Sequence, residues 1–167
     1  MMSASGSTVY ANAGNRNAAK PWRGRLHAGS GAGAWYAGNN DTDQFLEVDL
    51  GGVRNINGVA TQGKATASEV NRGSQHHVTS YAIDTSSDGL TWQHRRPFKF
   101  GGGGSGAEGF AFTGNTDSST VVAHGFADGV RARYVRFCPL TWHGHIAMRV
   151  EVFGEPLGIA LVSGSWT

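Results

Sequence analysis

The sequence predicts an all-β fold, and three features carry that expectation. Glycine supplies 26 of the 167 residues, roughly twice the usual share, which favours tight turns over long helices. Apolar residues alternate with polar ones in short runs such as QFLEVDLG and VTSYAIDTSSDG, the period of two that marks a half-buried strand. No stretch shows a long amphipathic helix, and short strands at this spacing build a sandwich or a barrel.

In chain order, residues 1–8 are rich in Ser, Gly and Ala and are expected to form a flexible N-terminal segment. Residues 9–40 hold turn formers and end near the aromatic pair Trp35 and Tyr36. Leu46, Val48 and Leu50 then alternate with Glu47 and Asp49, and Gly51-Gly52 stops that strand. A second strand is expected over residues 56–62. GKATASEVNRGSQHH, residues 63–77, is polar with no apolar period, and reads as a long hairpin excursion of the kind that carries function. Thr79, Tyr81 and Ile83 alternate with Ser80, Ala82 and Asp84 before SSDG turns the chain into LTWQHRR, the strongest hairpin signal present. GGGGSGAEG, residues 101–109, is read as a flexible loop and not a phosphate cradle, since neither GK[ST] nor a helix follows it. STVVAHGF, RARYVRFCPL and HIAMRVEVFG complete the strands.

The net charge of +2, with scattered arginines, gives no nucleic-acid footprint. The single cysteine, Cys138, excludes an internal disulfide and sits in a strand-like run as a small buried thiol. The opening residues lack a basic and apolar leader pattern, and no stretch reaches the length of a membrane span, so a soluble, unsecreted chain is expected.

TWHGHIAMRVEVFG, residues 141–154, concentrates residues with chemical potential. His143 and His145, with His76 and His77, are candidate metal ligands, but no third ligand stands at a recognisable spacing, so no metal is expected. The carboxylates fall in turns or on outward strand faces and specify no acid/base pair, so no enzyme is expected. Ile146, Met148, Val150 and Val152 alternate towards a core. Arg149 and Glu151 share the other face, where structural ion pairs with neighbouring-strand charges such as Arg133 or Asp49 are expected.

RLHAGSGAGAW, QFLEVDLG, INGVATQG, VTSYAIDTSSDGLTW, FTGNTDSSTVVAHGF and RARYVRFCPLTWHGHIAMRVEVFG occur in this order. Over residues 9–154 the series resembles the discoidin domain, also called the coagulation factor 5/8 type C domain. The resemblance implies a distorted jelly-roll β-sandwich with projecting hairpin loops, or spikes, that hold a ligand at one end, and a non-catalytic role in recognition or adhesion. It places the first spike over residues 12–22 and the second over residues 63–77. Asn15, Arg16, Trp22, Lys64, Glu69, Arg72 and His76 then become candidate ligand-binding residues, with Trp142 and His143 edging the same end. Lipid-binding relatives carry bulky apolar spike tips, whereas these tips are polar, so membrane insertion is not expected. Polar groups beside the Trp22 ring suit a glycan or a protein surface.

Many extracellular relatives close their termini with a disulfide that this chain lacks, which favours a cytoplasmic or ciliary location over an extracellular one. The aspartate-rich loop that binds calcium in some relatives is not evident, so no cofactor is expected. The alternative reading is an architectural subunit of a larger intracellular assembly, ciliary or cytoskeletal, held by protein contacts. Its natural docking element is the apolar extension over residues 155–167, which carries Leu157, Ile159, Leu161, Val162 and Trp166.

Overall fold

The computed structural model describes residues 2–4, 24–27, 33–64, 75–95 and 111–156. The strands are β1 Met2–Ala4, β2 Trp35–Tyr36, β3 Leu46–Gln62, β4 His77–Ser86, β5 Gln93–Arg95, β6 Phe112–Thr113, β7 Val122–His143 and β8 Ala147–Pro156, and no α-helix occurs among the described residues. They pair antiparallel along the path β2-β8-β3-β7-β4-β5, with β1 beside β3 and β6 beside β4.

Two long strands turn this path into the two faces of a jelly-roll sandwich. The first part of β3, Leu46 to Asp49, lies between β1 and the Tyr134–Phe137 part of β7; its last part, Gly58 to Thr61, lies between β8 and the Val122–Gly125 part of β7. The expected stop at Gly51-Gly52 is therefore a bend within one 17-residue strand. Gly51 takes φ of 76° there, and the β3–β7 register slips between Asp49 and Arg54, so the strand changes sheet without ending. STVVAHGF and RARYVRFCPL fuse in the same way into β7.

One further expectation is corrected. Residues 63–77 do not close a hairpin, because β7 lies between β3 and β4. Met2–Ala4 pairs with Leu46–Val48, where the outer edge of β3 offers unpaired backbone groups that a short strand satisfies.

The core follows the alternation. Leu46, Ile56, Tyr81, Ile83, Phe137, Ile146, Met148 and Val150 are all buried in one cluster, against which Val152 and Trp142 pack partly buried. Tyr81 stacks on Phe112 with centroids 5.5 Å apart. Cys138 lies half-buried beside this layer, and burial pushes its thiol up to about 12, far from thiolate chemistry.

On the outer face, opposite charges tie β3 to β7. Arg133 donates from Nε and a terminal nitrogen to both Asp49 oxygens at 2.8 and 3.0 Å, a bidentate fork. Arg136 donates to Glu47 at 2.9 Å while its guanidinium lies 3.6 Å from the Trp92 centroid and 4.3 Å from that of Phe45. The Arg133 hydrogen bond holds the Asp49 carboxyl at about 2, against an ordinary 3.8.

A depressed carboxylate pKa stabilises the fold above its unfolded value, and that stability is lost as pH falls through the folded value. Asp49→Asn should therefore lower stability at pH 7 by about 1 kcal/mol, allowing for a partly exposed pair. The gap to wild type should close between about pH 4 and pH 2 in urea melts; a gap that persists unchanged at the acid end would contradict this account.

Candidate functional site

At one end of the sandwich β3 finishes, β4 begins, β7 finishes and β8 begins, so Gln62, His77, His143 and Ala147 converge. Past the ladders, backbone groups there need partners from side chains. Arg149 supplies the first pair. It is 4% exposed and donates from Nε to the Gly63 carbonyl at 2.8 Å and from a terminal nitrogen to the Ser118 carbonyl at 2.9 Å. Gln62 accepts from the His27 amide at 3.0 Å and donates to the Ser119 carbonyl at 2.6 Å. Asn115 donates to the carbonyls of Thr61 and Thr120 at 3.2 and 2.7 Å. Asp117 caps the intervening turn by accepting from the amides of Ser119 and Thr120, and the Thr120 hydroxyl foremost, then these amides, hold its carboxyl at about 2.

The expectation of an ion pair at Arg149 is thus corrected. Among the described residues it meets no carboxylate, because β8 turns this side chain inward towards two orphaned carbonyls. Glu151 does meet a cation, Arg25, at 3.9 Å and largely exposed, and Asp49 meets Arg133 as described.

Over this polar layer sits a group of rings. The Lys64 amide donates to the His76 carbonyl at 2.9 Å and closes the base of the segment between them. The His145 amide donates to His76 Nδ1 at 3.0 Å, which requires that nitrogen to be unprotonated. Burial foremost, then Lys64, His145, His143 and His77, lower the His76 pKa, so the neutral ring is favoured. Tyr36 packs 6.0 Å from His76 and 5.9 Å from His145, with the Lys64 ammonium 5.8 Å from its centroid. His77 and His143 stack at 5.2 Å. Gly144, at φ 69°, turns the chain between His143 and His145, and a Cβ there would run into the His76 ring. Asn40 fastens that turn by donating to the Gly144 carbonyl at 3.2 Å and accepting from the Ile146 amide at 2.9 Å.

Of the candidate residues, Lys64, His76, Trp142 and His143 are brought to this end; Asn15, Arg16, Trp22, Glu69 and Arg72 lie outside the described residues, as does the extension beyond residue 156. The chain just after Trp22 does arrive here, since the Leu26 amide donates to the Val150 carbonyl at 3.1 Å. Sequence reasoning missed Tyr36, Asn40, Gln62 and Asn115 as parts of the site. GNTD held a signal for Asn115, a polar residue trapped between a close-packed glycine and a turn-capping aspartate.

The F5/8 type C domain model matches residues 3–152. The chain belongs to this family. As an F5/8 type C domain it is 35% identical over 136 residues to human coagulation factor V, covering 81% of the chain but 6% of that protein. The domain superposes on discoidin II of Dictyostelium discoideum with a TM-score of 0.73 at 19% identity, over 95% of this chain and 56% of that one. A CBM32 module of Clostridium perfringens, solved in complex with GalNAc-β-1,3-galactose, gives a TM-score of 0.58 at 17% identity over 92% of this chain and 94% of that one.

Replacing Arg149 by Ala leaves two buried carbonyls without donors, and should cost about 3 kcal/mol in urea unfolding. Arg149→Lys should recover little of it, because one ammonium lacks the planar fork that spans both carbonyls. Hydrogen exchange at the Lys64 amide should quicken in both variants; full protection there would show that Arg149 does not hold the loop base.

Proposed function

We propose that this F5/8 type C domain is a non-catalytic recognition module of adhesion type that takes a glycan at the loop-bearing end. The observation that carries the reading is the convergence of Tyr36, Lys64, His76, His143 and His145 on a loop base pinned from beneath by Arg149. Rings offer flat faces to the C–H side of a sugar, while an ammonium, amides and imidazole nitrogens meet its hydroxyls. The CBM32 module that shares the fold holds a disaccharide, which supports a sugar as the ligand class. The engagement of carboxylates supports a binding role over hydrolysis: Glu47, Asp49 and Glu151 are held by arginines, and Asp117, with Asp88 in the turn after β4, by turn amides. The proposal includes the expectation that Trp22, which lies outside the described residues, stacks on the same ligand.

A glycan array followed by calorimetry tests this with wild type, Trp22→Ala and Lys64→Ala. Saturable binding that weakens about tenfold or more in each variant is expected, the equivalent of about 1.4 kcal/mol per lost contact. An array with no glycan bound by the folded wild type would sink the proposal.

A further inference from the structure

At the other end of β4, the turn into β5 and the adjacent strand β7 enclose a pocket of about 300 Å³ whose lining includes Thr85, Ser87, Asp88, Thr91, Arg95 and Arg131. The ten residues of β4 separate it from His77, roughly 30 Å at about 3.3 Å per residue. The volume lies at the small end of ligand pockets, suited to about one sugar ring.

The charges of this pocket are unbalanced. Arg95 is half-buried and, among the described residues, donates to neutral oxygens, Nε to Thr85 Oγ1 at 2.6 Å and a terminal nitrogen to Gln93 Oε1 at 2.5 Å. Thr85 is itself 1% exposed, so the guanidinium is fixed from behind. Neither Arg95 nor Arg131 pairs with a carboxylate among the described residues. The lining carboxylate, Asp88, is already committed through Oδ1 to the Ser86 hydroxyl and the amides of Leu90 and Thr91. Ser87 links the turn to β7 by donating to the Arg131 carbonyl at 3.3 Å. A held but uncompensated cation beside a second one is what a planar carboxylate satisfies with parallel hydrogen bonds.

We infer that this pocket is a second ligand site, for a carboxylate-bearing sugar unit whose acid group lies between Arg95 and Arg131. The hydroxyls of Ser87 and Thr91 and the remaining oxygen of Asp88 meet the ring hydroxyls, the last as an acceptor. Asp88 also sets the selectivity: it repels a bare anion, which has no hydroxyl to offer it, so a sugar acid is preferred to an inorganic ion.

The test is an amide NMR titration of the full chain with galacturonate, galactose and inorganic sulfate. Galacturonate should shift the amides of Thr85, Ser87 and Thr91, and its affinity should fall about tenfold in Arg131→Gln, an exposed substitution that leaves the fold intact. Arg95→Gln should weaken it further. Raising salt from about 0.05 to 0.5 M should weaken it as well, while Lys64→Ala should leave it unchanged, which separates this site from the loop-end glycan surface. Equal binding of galactose would overturn the role of the arginines, and equal binding of sulfate would reduce the site to an anion hole and overturn the sugar assignment. Shifts confined to the loop end, or an unchanged affinity in Arg131→Gln, would overturn the site altogether.

Discussion

The β3–β7 ladder stops at Thr61 and Val122, and just beyond it the carbonyls of Gly63 and Ser118 have no strand to bond. Arg149 reaches from β8 and donates to both, so one side chain continues the sheet where the backbone cannot. Removing a guanidinium from water is costly, and burial accordingly lowers its pKa; two well-placed carbonyls offset that cost where one would not. The loop base closed by Lys64 and His76, and the rings that rest on it, take their positions from this clamp. Gln62, Asn115 and Asp117 extend the same solution sideways. Every member of such a network must be satisfied, because a half-paired polar layer is worse than an apolar one.

A polar layer of this kind separates two demands that otherwise conflict. The core below is packed by aromatics and aliphatics whose order depends on tight fit, whereas a recognition surface above must keep donors and rings partly unspent. Placing directional hydrogen bonds between them lets the surface vary without disturbing the core. Gly63 shows how little slack remains at the join, since a Cβ there would meet His77 Cβ and Ser118 Cα at 2.8 Å. Substitution is therefore tolerated on the loops and not at their roots.

How much of this was legible in the sequence follows from which forces are local. Leu46, Tyr81, Ile83, Met148 and Val150 declare their burial by a period of two, because side-chain direction alternates along any strand. The outer-face partnership of Asp49 with Arg133 required only that both point away from the core. Arg149 broke the pattern: by alternation it belongs outside with Glu151, yet β8 lies where its outer face is roofed by the 63 and 118 turns. No periodicity within β8 encodes that roof. Gly51-Gly52 misled for a related reason, since glycine marks both the end of a strand and its bend, and only the pairing of β3 with two different partners on each side decides between them. Tyr36 escaped the sequence because it joins His76 and His145 from a distant segment, with no local pattern that marks the meeting.

The histidines illustrate why residue type alone misassigns chemistry. A ligand or general base needs its basic nitrogen presented outwards, but His76 Nδ1 is occupied by the His145 amide, and His77 is buried with its ring face against His143. Burial lowers the pKa of His76 and His77, so these two rings resist taking up protons that would add charge beside Lys64. Since the folded state binds these protons less readily than the unfolded chain, the stability they carry is present above the ordinary imidazole value and declines as pH falls below it. His76 and His77 thus serve here as flat rings favoured in the neutral form, the first held by a hydrogen bond and the second by stacking.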